Sequence, residues 1–158
     1  MAGLGCGGNS RVGLGTGLSE GQSVALVQEA LDLGVNLLDT AAAYGTEAVV
    51  GKAIKGRPRD SVVISTKSHV SVDGRPLSGA QVVANLETSL RQLDTDYVDV
   101  FHLHGLAPKA YDHDARHRLG RAVGRATVGV ARKGILIPAL DRNPVGLVGG
   151  NRQVGQAL

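Results

Sequence analysis

Hydrophobic positions in the first hundred residues alternate between the period of a strand and that of a helix. Ala2 to Cys6 reads as a short strand opening into a glycine-rich loop that runs through Gly17. Ser19 and Gln22 have capping-box spacing; behind them Val24, Val27 and Leu31 recur at helical intervals, and Gly34 supplies a stop. Val35 to Leu38 reads as a buried strand. Thr46 is placed to cap a second helix that carries Val49, Val50, Ala53 and Ile54 and closes at Gly56. The β-branched run from Val62 to Thr66, broken by a single serine, predicts the next strand. Ser78 and Gln81 repeat the capping-box spacing ahead of a helical face of Val82, Leu86, Leu90 and Leu93, and Tyr97 to Leu103 predicts a further strand. Such alternation predicts a parallel sheet joined by crossover helices, in either a barrel or a doubly wound arrangement.

Beyond His104 the pattern weakens. Residues 112–133 fit a helix with Leu119, Val123 and Ala126 inward, but Gly120, Gly124 and Gly129 interrupt it, each costing about 1 kcal/mol relative to alanine. Gly134 to Leu140 fits a strand that Pro138 confines to a sheet edge, and Asn143 to Leu158 has no periodicity. Charge changes at the same place. Residues 1–108 hold 8 basic and 11 acidic side chains, whereas residues 109–158 hold 9 basic and 3 acidic, so the net charge turns from −3 to +6. The sequence thus divides into an alternating α/β part, 1–108, and a basic Gly/Arg-rich tail, 109–158, expected to be poorly ordered. A break this abrupt is what a truncated or frameshifted gene product would show.

Composition narrows the classes further. The 158 residues suffice for one domain but fall short of the roughly 250 of a closed eight-stranded α/β barrel. With 42% hydrophobic and 20% charged residues, the chain has the apolar content to fold and is not a disordered one. No apolar run reaches the roughly 18–20 residues that cross a bilayer, and the N-terminus lacks the basic start and apolar core of a signal peptide. The lone Cys6 cannot form an internal disulfide, and a cytoplasmic location is expected. The basic tail has one aromatic residue, Tyr111, and so no stacking platform for single-stranded nucleic acid; its charge reads as a solvated tail, and nucleic acid is not an expected partner.

Ligands of parallel α/β folds bind where strands end and loops begin. The strand after the first helix ends at Asp39, the next at Lys67 and the next at His104, and Tyr44 follows Asp39 by five residues. Singly, each has a structural explanation: a turn cap, a packing aromatic, solvated strand ends. Together they form a usable set on one rim. A phenol with a pKa of about 10 is a poor acid at neutral pH; a nearby Lys⁺ favours the phenolate, an Asp can fix the lysine, and a histidine can orient a carbonyl oxygen. That is machinery for protonating an oxygen while something else delivers hydride.

Three segments resemble the aldo-keto reductase family: Leu37-Leu38-Asp39-Thr40-Ala41-Ala42-Ala43-Tyr44-Gly45, Ile64-Ser65-Thr66-Lys67, and Tyr97-Val98-Asp99-Val100-Phe101-His102-Leu103-His104. The resemblance covers about residues 3–108. It implies a (β/α)8 TIM-type barrel, present here as about four βα units, that reduces aldehydes or ketones to alcohols with NADPH. By the same resemblance Tyr44 is the general acid, Lys67 lowers its pKa, Asp39 pairs with Lys67, and His104 orients a small-molecule carbonyl substrate. His102 lies two residues earlier on the same face and is set aside by counting from Asp99. NADP(H) is the implied cofactor, with Gly5, Cys6, Gly7 and Asp39 beside its nicotinamide.

Two rival readings stand beside this one. Gly3, Gly5 and Gly8 match a G-x-G-x-x-G dinucleotide fingerprint, but only Met1 and Ala2 precede them and the first helix begins near Ser19. The other is an inactive half-barrel that acts through self-association, since an open parallel sheet has exposed edges.

Overall fold

The computed structural model describes residues 2–104 and the backbone of residues 135–136. Its main sheet contains β1 (Ala2–Gly5), β2 (Val35–Asp39), β3 (Val63–His69), β6 (Val100–His104) and β7 (Ile135–Leu136), all parallel and in chain order. A small antiparallel hairpin, β4 (Ser71–Val72) with β5 (Arg75–Pro76), follows β3. The helices are α1 (Glu20–Asp32), α2 (Glu47–Ile54) and α3 (Gly79–Leu93); α1 packs on α2 and α2 on α3. A doubly wound sheet reverses its strand order and covers both faces. Among the described residues the order does not reverse and the helices form one layer, which is the winding of a (β/α) barrel. No helix among the described residues is long and apolar enough to cross a membrane.

Both predicted capping boxes form. The Ser19 amide donates to Gln22 Oε1 at 2.9 Å and the Gln22 amide to Ser19 Oγ at 3.3 Å; Ser78 and Gln81 repeat this at 2.8 and 3.3 Å. Each satisfies two amides that a helix start leaves unpaired, and losing such a cap typically costs about 1 kcal/mol. Thr46 behaves differently. It occupies the N-cap position of α2, but its hydroxyl bonds Thr40 Oγ1 at 2.9 Å instead of a helix amide.

The sheet has two chemically distinct faces because side chains alternate along a strand. Leu38, Ile64, Thr66, Phe101 and Leu103 are buried toward the helix layer, in a core with Val27, Leu31, Val50, Ala53, Val82 and Leu86. The opposite, inner face carries Gly5, Asp39, Ser65, Lys67, His102 and His104, brought level by the pairings Gly5 with Asp39, Asp39 with Ser65, and Lys67 with His102.

Several predicted strand boundaries move, among them the start of β3 from Val62 to Val63 and the end of β6 from Leu103 to His104. β3 continues past Thr66 to His69, because its ladder with β6 persists through His69 opposite His104; Lys67 is therefore inside a strand rather than at its end. β6 starts at Val100 and not Tyr97, since the Tyr97 carbonyl accepts from Arg59 Nη2 at 3.0 Å. β1 stops at Gly5, although the Cys6 amide still donates to the Asp39 carbonyl at 2.8 Å. The helix expected over residues 112–133 and the expected disorder of the tail lie outside the described residues. Ile135–Leu136 falls within the stretch 134–140 read as an edge strand and pairs with β6 at the end of the described sheet.

Candidate active site

Asp39 ends β2 on the inner face, and Lys67 reaches it from the neighbouring β3. The Lys67 ammonium donates to both Asp39 carboxylate oxygens at 2.7 Å and to the Thr40 carbonyl at 2.9 Å, which uses all three of its protons. The lysine side chain is 16% exposed, so the cation is largely withdrawn from water and its carboxylate partner is needed.

Tyr44 stands on a 3₁₀ turn, Ala42–Tyr44, that Gly45 closes at φ 67°. Two hydroxyl contacts behind the turn hold it to the sheet. Thr40 and Thr46 bond each other, and Thr66 Oγ1 donates to Glu47 Oε1 at 2.6 Å, both buried. The phenol ring lies against the glycine loop after β1, and Lys67 Nζ is 5.2 Å from its centroid. His104 meets the ring edge-on at 6.0 Å between centroids and 85° between planes, and stacks on His69 at 4.9 Å and 11°. Burial, then the neighbouring His69 and Lys67, push the His104 pKa below the usual imidazole value, so the ring is neutral at physiological pH. Its Nδ1 is buried with no hydrogen-bond partner among the described residues.

All four residues singled out on the rim thus gather in one place. His102, set aside in the sequence, also belongs to the cluster: its Nε2 lies 3.1 Å from Ser65 Oγ, which in turn donates to Asp39 Oδ1 at 2.8 Å. Burial and then Lys67 lower the His102 pKa as well. One serine in a β-branched run carries no signal in the sequence; the sheet register gives Ser65 its place, between Asp39 and Val100.

The glycine loop divides by role. Nothing lies within 4 Å of a Cβ built on Gly5, so the inner face beside Asp39 is open there. A Cβ on Gly7 would fall within 2.6–2.8 Å of Tyr44 ring carbons, which ties this glycine to the phenol. Cys6 is fully buried, desolvation followed by the Asp39 charge raises its thiol to about 12, and its amide donates to the Asp39 carbonyl, so the Cys6 expected beside a nicotinamide presents no open group to one. The dinucleotide fingerprint does not form, because Gly3 and Gly5 lie within β1 and a 3₁₀ segment, Arg11–Thr16, separates the loop from α1. No group of three metal-ligating side chains occurs among the described residues.

A cavity of about 340 Å³ lies at the other end of the strands, lined by Lys55, Arg57, Arg59, Val62, Asp94 and Asp96 among others. Its cations are already paired, Lys55 with Asp94, Arg57 with Asp32 and Arg59 with Asp99. In barrels that end serves stability, and chemistry occurs at the opposite rim.

A model of the aldo/keto reductase family matches residues 3–130. The chain belongs to the aldo-keto reductase family. The family match runs past residue 108, where periodicity and charge change. The aldo-keto reductase YhdN of Bacillus subtilis is 40% identical, over 60% of this chain and 34% of its own length. An aldo-keto reductase of Mycolicibacterium smegmatis is 44% identical, over 59% and 32%. A thermostable aldo-keto reductase solved with the inhibitor epalrestat superposes with a TM-score of 0.71 at 29% identity, covering 89% of this chain and 50% of that one. The Klebsiella pneumoniae aldo/keto reductase solved with NADP and acetate gives 0.66 at 29%, covering 89% and 46%. This aldo-keto reductase chain therefore spans about a third of the length of these curated relatives and about half of the solved chains, and its described sheet is part of their (β/α)8 barrel.

Proposed function

We propose that this chain carries the proton-donating site of an NADP(H)-dependent oxidoreductase that reduces aldehydes or ketones to alcohols. The observation that supports the reading most is the meeting of Tyr44, Lys67, Asp39 and His104 on one face of the sheet. The solved relative that binds NADP adds the cofactor class. The residues fit a flat cofactor ring: Gly5 leaves the strip beside Asp39 free of side-chain atoms, and the partly exposed Gly7 follows it in the same loop, whereas Cys6 is buried behind them. When bound, the cofactor supplies the hydride that goes to the carbonyl carbon.

The chain's own residues manage the oxygen. Tyr44 gives its phenolic proton to the carbonyl oxygen as negative charge grows there. The Lys67 ammonium favours the charge left on the phenol oxygen, and its two bonds to Asp39 keep it in place. His104, neutral and edge-on to Tyr44, offers one N–H donor to orient the same oxygen.

NADPH oxidation, followed by absorbance with a panel of aldehydes, tests the reading. Tyr44→Phe keeps the ring and removes the proton, so turnover should fall by about 10²–10⁴-fold while cofactor binding, read by fluorescence, changes little. Equal turnover by Tyr44→Phe and the unaltered chain would overturn the assignment.

A further inference from the structure

We propose that Ser65 and His102 are positioning residues, a hydrogen-bond chain that aims the Asp39 carboxylate and through it Lys67. The inference rests on the functional reading above for its purpose but not for its geometry. Ser65 is 4% exposed, and its Oγ lies 2.8 Å from Asp39 Oδ1 and 3.1 Å from His102 Nε2.

Proton counting fixes the direction of the chain. A serine hydroxyl has one proton, and an ionised carboxylate only accepts. The Ser65 proton therefore goes to Asp39, and Ser65 Oγ is left as the acceptor for His102. His102 must then carry its proton on Nε2. Asp39 Oδ1 receives two donors, Ser65 and Lys67, while Oδ2 receives Lys67 alone, and this asymmetric set fixes the rotation of the carboxylate. Buried polar groups cost stability unless bonded, and the relay satisfies the Ser65 hydroxyl through His102 and through the carboxylate that also binds Lys67. The charged or titratable groups acting on His102 come from three strands: Lys67 on β3, Asp39 on β2 and His104 on β6. None of them removes the need for a donor at Nε2.

The test is ¹⁵N NMR of histidine- and lysine-labelled protein at pH 8, with Ser65→Ala and Ser65→Thr beside the unaltered chain. The unaltered chain should show His102 protonated at Nε2. Ser65→Ala should release that tautomer preference and speed exchange of the Lys67 ammonium protons about tenfold, the loss expected for one hydrogen bond. Ser65→Thr keeps the hydroxyl and should restore both, which separates a relay from general damage to the fold. In turnover, Ser65→Ala should lower kcat with KM for the carbonyl unchanged. Protonation of His102 at Nδ1 in the unaltered chain overturns the proposal, as does Ser65→Ala leaving Lys67 exchange unchanged. Turnover indifferent to Tyr44→Phe, with the NMR signatures as expected, overturns the functional reading instead.

Discussion

Gly7 and Tyr44 are in contact across the mouth of the sheet: a methyl group on Gly7 would stand 2.6 Å from Cε2 of the phenol. The glycine loop after β1 therefore supports the phenol as well as bordering the open strip at Gly5. Gly7→Ala should force the ring aside and cost about 1–3 kcal/mol, as overpacking does. Because a displacement of about 1 Å can cost about 10²-fold in rate, turnover per folded molecule should fall far more than stability does. A urea midpoint together with kcat separates the two effects; unchanged kcat would mean that the ring tolerates the methyl.

Lys67→Met removes the cation and keeps most of the side-chain volume. Asp39 would lose two of its three hydrogen bonds and keep that from Ser65. Reduction should drop by about 10²-fold or more, because the charge developing on the phenol oxygen loses its nearest counter-charge. Residual activity should shift in its pH dependence, whereas a purely structural lysine would lower the amount of folded protein and leave the pH profile in place.

What the sequence disclosed was mostly local. Ser19 with Gln22 and Ser78 with Gln81 signal helix starts within four residues, and they form as expected. The choice between barrel and doubly wound sheet was illegible in periodicity, since it depends on strand order, which no single segment encodes. Asp39 and His104 were legible as strand ends and Tyr44 and Lys67 through motif spacing, Lys67 lying inside β3 and not at its end, and all four gather in space. Ser65 and His102 were not, because their partners lie 26 and 37 residues away, a relation only register supplies. Thr46 shows the same limit. Its position signals a cap, yet tertiary contact with Thr40 takes the hydroxyl.

Stability should fall with acidification in a window set by two histidines. The folded chain lowers the pKa of both His102 and His104, chiefly through burial. The unfolded chain binds those protons at about pH 6.5, where the folded chain still resists them. Their contribution is therefore complete above about pH 6.5 and is lost as pH falls through the folded-state values. Urea midpoints between pH 8 and 5.5 should decline, above the range where carboxylates titrate. The double variant His102→Gln, His104→Gln should flatten the decline; a midpoint that rises on acidification would contradict the assignment.

Asp99 lies in the motif that ends at His104, yet its contacts are with Arg59 and the Ile64 amide, at 2.9 Å each, near the starts of β3 and β6. The Arg59 guanidinium also donates to the carbonyls of Val62 and Tyr97 and to Thr95 Oγ1, and it covers the Tyr97 ring at 3.9 Å. Side-chain exposures of 19% and 9% put this ion pair largely out of water. Arg59→Met should then cost about 3–5 kcal/mol, because it leaves a buried carboxylate without its cation. Arg59→Lys should recover only part of the loss, since an ammonium cannot span carbonyls and carboxylate with a planar fork. Lys52, paired with Glu20 on the surface at 57% and 50% exposure, is the control, and Lys52→Ala should change stability by about 0–1 kcal/mol. Urea unfolding measures all three. Turnover per folded molecule should be unchanged in Arg59→Met, which would place the Asp99 part of the motif with the fold and leave the chemistry to the residues at the other end of the strands.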